Sequence, residues 1–466
     1  MLRSSSRSDQ LLVALALVAP AWLLPACGGG GLGEPDASVR DAALRDSASP
    51  ADALVSDEAD AARPNDAEVP LDAEVPIDAD VLVDAGPPDA GPPPRCTTTP
   101  CESVTTSVGR LRTLDECAFA LRAESSFVEG RARADALLDR LRTSGLGGHR
   151  TLTQVLGQLN RTGRAGLTSE TRTRLSGLSP VGFRWNTGDD AVDSWYPQGI
   201  TGQGTSLLVS WYHKTDARPT RGARLSLVDV SDLANPRYRH LLLVDPEDTA
   251  RGFGPAEYDG GGALHAGGIA WVGDLLYVAD TSRGLRVYDL SRIAEVANTD
   301  DTTRIGIAGG RADAHGYRYV VPRIGRWVNA GGCNARFSSV AVSEVGGQPA
   351  LAVAEYRADD ANGKVVAWLL DGDELRVEGD RAWAVGAALA GQTRVQGTTR
   401  VGDAWYLSSS SQDGSNGRLY RATPAGTTSV HWVYGAEDLY RDPRDRLWTA
   451  AEHPNRRDVV AIPRPR

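Results

Sequence analysis

The chain has 466 residues, 41% of them hydrophobic and 24% charged, with a formal net charge of −10. That length suits two or three domains with a sizeable core, which excludes a short peptide or a chain disordered throughout. The acidity is local: residues 28–95 carry 16 acidic and 4 basic side chains, and everything from Cys96 onward is close to neutral. No Lys/Arg block rises above that average, which argues against nucleic acid as a partner.

Residues 1–27 read as an export signal, in which Arg3 and Arg7 precede an apolar run from Leu11 to Leu24, broken at Pro20. The run is too short to span a bilayer, and its charged flank and small-residue end fit a cleaved signal. Leu24, Pro25, Ala26 and Cys27 resemble a bacterial lipobox, which implies acylation at Cys27. Lipid chains there would hold the protein at the cell envelope, on the outer membrane or cell surface, without spanning it. Residues 28–95 contain no aromatic side chain and repeat units such as "DAEVPLDAEVPIDAD" before "GPPDAGPPP". Self-repulsion and proline predict a disordered linker with a reach of up to about 200 Å.

Setting Cys27 aside leaves Cys96, Cys101, Cys117 and Cys333. An even number in an exported chain without CxxC spacing predicts two disulfides rather than a metal site, with three connectivities open. Cys96 and Cys101 are near enough to pair, which would leave Cys117 to tie a helix to Cys333. Residues 96–180 are expected to be a helical segment. Three Ser/Thr–x–x–Glu/Gln capping boxes mark helix starts, at Thr113 with Glu116, Ser126 with Glu129 and Thr151 with Gln154. A shorter helix is expected from about Ser169 to Leu175.

From residue 181 to 466 the pattern turns to period-two apolar runs between turn residues. Five inner-strand starts align: "PQGIT" (197–201), "AGGIA" (266–270), "RFSSVAV" (336–342), "VQGTTR" (395–400) and "AEDLYR" (436–441). Each precedes two further strands, and four units have an outer strand of their own: "RYRHLLLVDP", "YRYVVP", "LRVEGDRAWAVG" and "TSVHWVYG". The fifth runs out of chain, so "VGFRWNTG" (181–188) is expected to supply its missing strand. Repeated four-stranded units predict an all-β, five-bladed β-propeller. Six blades would result if residues 247–262 or 294–316 hid more strands.

"RLSLVDVSDLANPRYRHLLLVDP", preceded in the next unit by "LLYVADTSRGLRVYDLS", is similar to the LVIVD repeat of bacterial extracellular propellers. The resemblance implies a secreted propeller and no particular reaction.

In a propeller the inner-strand starts surround one channel mouth. Gln198, Gly267, Ser338, Gln396 and Glu437 align there, followed by Gly199, Gly268, Ser339, Gly397 and Asp438. The small residues fit strands that crowd the axis. Gln198, His265, Ser338, Gln396, Glu437 and Asp438 form a hydrogen-bonding set suited to a polar ligand, ordered water or a cation. Asp280 and Glu355 align at the ends of the following strands, with Glu452 displaced by one and His453 after it; paired carboxylates there would suit glycoside hydrolysis. Trp185, Trp195, Tyr196, Trp211 and Tyr212 are either core between blades or, if exposed, a sugar-stacking platform. No GxSxG, HExxH or phosphate-loop motif is present, and the residues leave any cofactor and the oligomeric state open. The reading is a surface-tethered module that binds a protein, glycan or small polar ligand, or alternatively a carbohydrate-active hydrolase or lyase. Cys27→Ser is expected to release the protein from membranes in soluble form, checked by fractionation and by mass spectrometry of the mature N-terminus.

Overall fold

The computed structural model describes residues 95–466 except 215–219, 260 and 411–416. The export signal, Cys27 and the linker up to residue 94 lie outside the described residues. The described chain is predominantly β and has the architecture of a β-propeller, built from four-stranded antiparallel sheets. Sheet 1 is Trp195–Gln203, Ser206–His213, Ala223–Asp229 and Arg237–Pro246. Sheet 2 is Ile269–Val272, Leu275–Asp280, Gly284–Asp289 and Tyr319–Asn329. Sheet 3 is Ser339–Val345, Gln348–Ala354, Lys364–Asp371 and Ala382–Leu389. Sheet 4 is Val395–Val401, Ala404–Ser409, Arg418–Thr423 and Gly426–His431. In sheet 5, Tyr440–Arg441, Arg446–Ala450 and Asp458–Pro463 are completed by Val181–Arg184, where Val459 pairs with Phe183.

Each sheet shares a dry core with the next. Leu225 and Leu241 of sheet 1 cluster with Leu276 and Val278 of sheet 2, and Tyr277 of sheet 2 with Val353 and Trp368 of sheet 3. Sheet 3 meets sheet 4 through Ala367 and Trp405, sheet 4 meets sheet 5 through Leu419 and Ile462, and sheet 5 meets sheet 1 through Trp448 and Trp211. A strand covered on both faces needs no polar alternation. That is why all six residues of Leu275–Asp280 and of Gly284–Asp289 are buried.

At the axis the inner strands approach backbone to backbone. A Cβ on Gly268 would lie 2.2 Å from the Val340 nitrogen, one on Gly199 2.7 Å from the Ile269 nitrogen, and one on Gly397 2.6 Å from the carbonyl carbon of Asp438. The aligned glycines are therefore required by space.

The sequence reading is corrected at several points before and between these sheets. Residues 96–180 contain helices at Phe127–Thr143, Leu152–Leu156 and Ser169–Arg174, but no helix starts at Thr113. Asp115 instead caps a single 3₁₀ turn, Glu116–Ala118, because its carboxylate accepts the Cys117 N–H. The rest of the segment forms short strands added to the outer edges of the sheets. Arg112–Thr113 pairs with sheet 3, and Ala120–Ala123 bridges sheets 3 and 2. Gly147–Arg150 pairs with Ile293–Val296, Arg161–Thr162 with sheet 1, and Arg164–Ala165 with Phe183–Arg184 in sheet 5. Among the described residues only Gly426–His431, the outer strand of sheet 4, receives no such addition.

Ser126 caps the first helix and Thr151 forms a reciprocal box with Gln154, as the spacing predicts. The cysteines do form two disulfides, but Cys96 pairs with Cys117 and Cys101 with Cys333, so Cys96 and Cys101 are not partners. "YRYVVP" is only the start of sheet 2's outer strand: Val320–Pro322 run parallel to Leu242–Val244 of sheet 1, and Arg323–Trp327 carry the pairing within sheet 2. The long connections add Phe253–Pro255 to sheet 1 and hold a separate hairpin, Ile305–Ala308 with Arg311–Ala314, with no further four-stranded sheet among the described residues.

Gly268→Ala is expected to lower the thermal midpoint by the equivalent of about 1–3 kcal/mol, the usual cost of overpacking. Gly188→Ala is the control, since its Cβ would meet nothing closer than 3.6 Å.

Candidate functional site

The aligned inner-strand starts converge, and Asp438 lies deepest. Its Oδ2 accepts the backbone N–H groups of Ile269 at 3.0 Å and Ile200 at 3.4 Å, while Oδ1 is buried without a hydrogen-bond partner. Burial pushes its carboxyl well above the usual range, against those backbone bonds. Enclosed Asp438 thus fastens strands through its backbone bonds.

Above it lie two amide–carboxyl pairs. Gln198 Nε2 donates to the Pro197 carbonyl at 2.9 Å and to Glu452 Oε2 at 3.3 Å, and Gln396 Nε2 donates to Glu437 Oε1 at 3.3 Å. Ala436 and Ala451 pair across an antiparallel bridge, with the Glu437 N–H on the Ala450 carbonyl and the Glu452 N–H on that of Gly435. Side chains alternate along such a ladder, so Glu437 and Glu452 project from one face as diagonal neighbours, a relation typically ~7–8 Å wide. Burial pushes Glu452 up to about 7, although the bond from Gln198 and the charges of Lys214 and Arg457 oppose it. Near neutrality this carboxyl can donate a proton as well as accept one.

Aromatic and basic groups frame these pairs. His265 packs against Tyr212 with ring centres 4.4 Å apart and His453 against Tyr434 at 4.7 Å, both pairs tilted. Burial and then the Lys214 charge hold His265 down at about 4, and burial with Lys214, Arg457 and Arg456 lowers His453. Both imidazoles are therefore neutral. Lys214 Nζ stands 4.5 Å from the centre of the Tyr196 ring, and the Arg457 guanidinium 5.2 Å from the same centre. Of the aromatics around sheet 1, Trp185, Trp195 and Trp211 are core, whereas Tyr196 and Tyr212 are partly exposed at the mouth.

Three sequence candidates have other duties. Ser338 Oγ accepts the Tyr356 N–H at 3.0 Å. Asp280 is fully buried and bonded to Arg286 at 2.7 Å, with Arg326 at 3.6 Å. Glu355 is bound by Lys364 at 3.2 Å and lies 3.8 Å from Arg357. Asp280 and Glu355 thus each hold basic side chains of their own sheet. Glu452, mentioned in the sequence reading only as displaced by one, is instead central; the displacement follows from the bridge that sets it beside Gly435.

A second arrangement was not legible in sequence. Ser226 Oγ lies 2.9 Å from His240 Nδ1, and His240 Nε2 lies 3.2 Å from Asp189 Oδ1, the order of a hydrolytic triad. Ser226 is fully buried and its oxygen accepts the Trp211 Nε1–H at 2.8 Å, so no substrate reaches it. Burial disfavours ionisation of Asp189, but His240, Arg224 and Arg161 outweigh it and hold the carboxyl well below the usual range. The cluster cements the join between sheets 5 and 1.

No family model matches the chain, and no curated protein matches it in sequence. Among solved structures it is similar to the β-propeller domain of the trilobed protease from Pyrococcus furiosus, at 11% identity and a TM-score of 0.25 over 58% of this chain and 93% of that one. A GH43_1 enzyme from Xanthomonas citri matches at 10% identity and a TM-score of 0.31, over 63% of this chain and 92% of that one. A glucose dehydrogenase matches at 10% identity and 0.27, over 55% and 77%. At scores this low the similarities carry no argument about activity.

A carboxyl raised in the native state favours folding while protonated, so its contribution is full below its ordinary 4.5 and is lost as pH rises through about 7. The melting temperature of Glu452→Gln is therefore expected to gain on wild type across that window, as read by pH-resolved thermal melts; parallel curves would contradict the raised carboxyl.

Proposed function

We propose that the chain is an extracytoplasmic binding module: a ring of five blades, latched by residues 181–184, that presents one polar channel mouth to a protein, glycan or small polar ligand. Residues 1–27 would be a lipoprotein-type signal ending at an acylated Cys27, residues 28–95 a tether, and 96–180 a rim belt on the 181–466 propeller of LVIVD type. The two disulfides suit an oxidising compartment, and no helix among the described residues is long and apolar enough to cross a membrane. The observation that carries the reading is the convergence of Gln198, Gln396, Glu437 and Glu452 with partly exposed Tyr196 and Tyr212. Such a set offers amide and carboxyl hydrogen bonds beside flat apolar faces, the chemistry that hydroxylated ligands need.

One observation favours a second reading as hydrolase or lyase. Glu452, pushed up to about 7 by burial, stands on the same ladder face as Glu437, so an acid able to give up a proton near neutrality lies beside a second carboxyl, the pair of groups that glycoside hydrolysis uses. Saccharide-array retention followed by product analysis separates the two. Binding without turnover, lost in Glu437→Gln by the ~2–5 kcal/mol typical of a desolvated polar partner, is expected while the melt stays near wild type. Product release that vanishes in both Glu437→Gln and Glu452→Gln would make the chain a hydrolase.

A further inference from the structure

Two cations at the mouth form no ion pair among the described residues. Most buried arginines here are matched: Arg286 by Asp280 and Asp245, Arg326 by Asp280, Arg224 by Asp189. Arg457 is different. It is fully buried, yet no carboxylate oxygen lies within 4.0 Å of its guanidinium nitrogens among the described residues. Its Nη1 and Nε donate to the backbone carbonyls of Asp189 and Glu452, and its Nη2 has no acceptor. Lys214 is exposed and likewise forms no ion pair among the described residues. The two cations share the Tyr196 ring, at 4.5 and 5.2 Å.

Isolated buried charge is costly, so it persists where an opposite charge or a dense set of hydrogen bonds offsets it. The carboxyls beside them do not play that part: Asp190 accepts the Arg457 backbone N–H at 3.1 Å but pairs with Arg164, and Glu452 bonds to Gln198 and approaches neither Lys214 nor Arg457 as an ion pair. The neutral imidazoles of His265 and His453 add hydrogen-bonding capacity without charge.

Resting on the reading of the mouth as a binding site, we propose that it takes an acidic saccharide, the carboxylate of a uronic acid residue standing against Lys214 over the buried charge of Arg457. Tyr196 and Tyr212 offer faces to the sugar ring, and Gln198 and Glu452 offer donors and acceptors to its hydroxyls. An acidic peptide would use the cations but leave this two-way hydrogen-bonding set largely idle.

The test is calorimetric titration of the whole protein with trigalacturonate, with the neutral galactose trimer, and with a short polyglutamate peptide. Trigalacturonate is expected to bind at least ~10-fold more tightly than the neutral trimer, with affinity falling as salt rises. Lys214 is exposed, so Lys214→Gln should fold normally and lose that preference, while Lys214→Arg keeps it. Equal affinity for the neutral and acidic trimers, or an unchanged preference in Lys214→Gln, overturns the anionic assignment and leaves the binding reading standing. Polyglutamate bound in place of either saccharide overturns the sugar assignment. Absence of binding to all three overturns the proposal, and the saccharide array above, run independently, decides whether the mouth binds other ligands.

Discussion

Asp438 holds the inner ends of three sheets together through one oxygen. It sits ahead of the inner strand of sheet 5 and accepts the N–H of Ile200 from sheet 1 and of Ile269 from sheet 2. Inner strands at an axis converge from different directions and cannot satisfy one another in a regular ladder, so their backbone donors need another acceptor. The Asp438 carboxyl meets that need, although burial raises it well above the usual range against those bonds, and the glycines beside it at 199, 268 and 397 bring the backbones close enough for the bonds to form. The mouth is built on that fastening, because Gln198 and Glu437 occupy positions adjacent to bonded or bonding atoms and inherit their fixed orientation.

The joins between sheets fall into two kinds. Sheets 2 and 3 meet through Tyr277, Val353 and Trp368, an apolar join. Sheet 1 meets sheet 5 through an apolar cluster that also encloses ions, Asp189 with Arg161 and Arg224 and Asp190 with Arg164, beside the hydrogen bond of His240 to Asp189. A buried ionic join gains little stability over an apolar one, but a wrong register would leave its charges unpaired. That suits a place where residues far apart in sequence, 181–184 and 458–463, must find each other.

Much of the architecture was legible because it rests on local alternation and on glycines that mark backbone contact. The inner strands, the completion of sheet 5 by Val181–Arg184, and the ring of small residues all follow from those signals. The region before residue 181 was not legible. Thr113 and Glu116 have capping-box spacing, yet Thr113 is drawn into a strand paired with Ala388, hundreds of residues away, which no local pattern records, and Glu116 falls in a short 3₁₀ turn. Disulfide connectivity was hidden for the same reason: sequence proximity favoured Cys96 with Cys101, whereas the rim path sets Cys101 beside Cys333. Within the site, Gln198, Gln396 and Glu437 could be read from alignment. Glu452, Lys214 and Arg457 could not, because their significance lies in what their neighbours fail to neutralise.

The rim strands also decide how the molecule carries a mechanical load. A pull on the chain from its N-terminal side meets Cys96 and Cys101 before it meets the first rim strand, Arg112–Thr113. Hydrogen-bonded strands at an edge would otherwise unzip one rung at a time. The bond from Cys101 to Cys333 diverts the force past them into the connection between sheets 2 and 3, so the belt behind it stays unloaded. With Cys96 tied to Cys117 on the far side of Arg112–Thr113 as well, that first rim strand would bear the load only once both bonds were reduced.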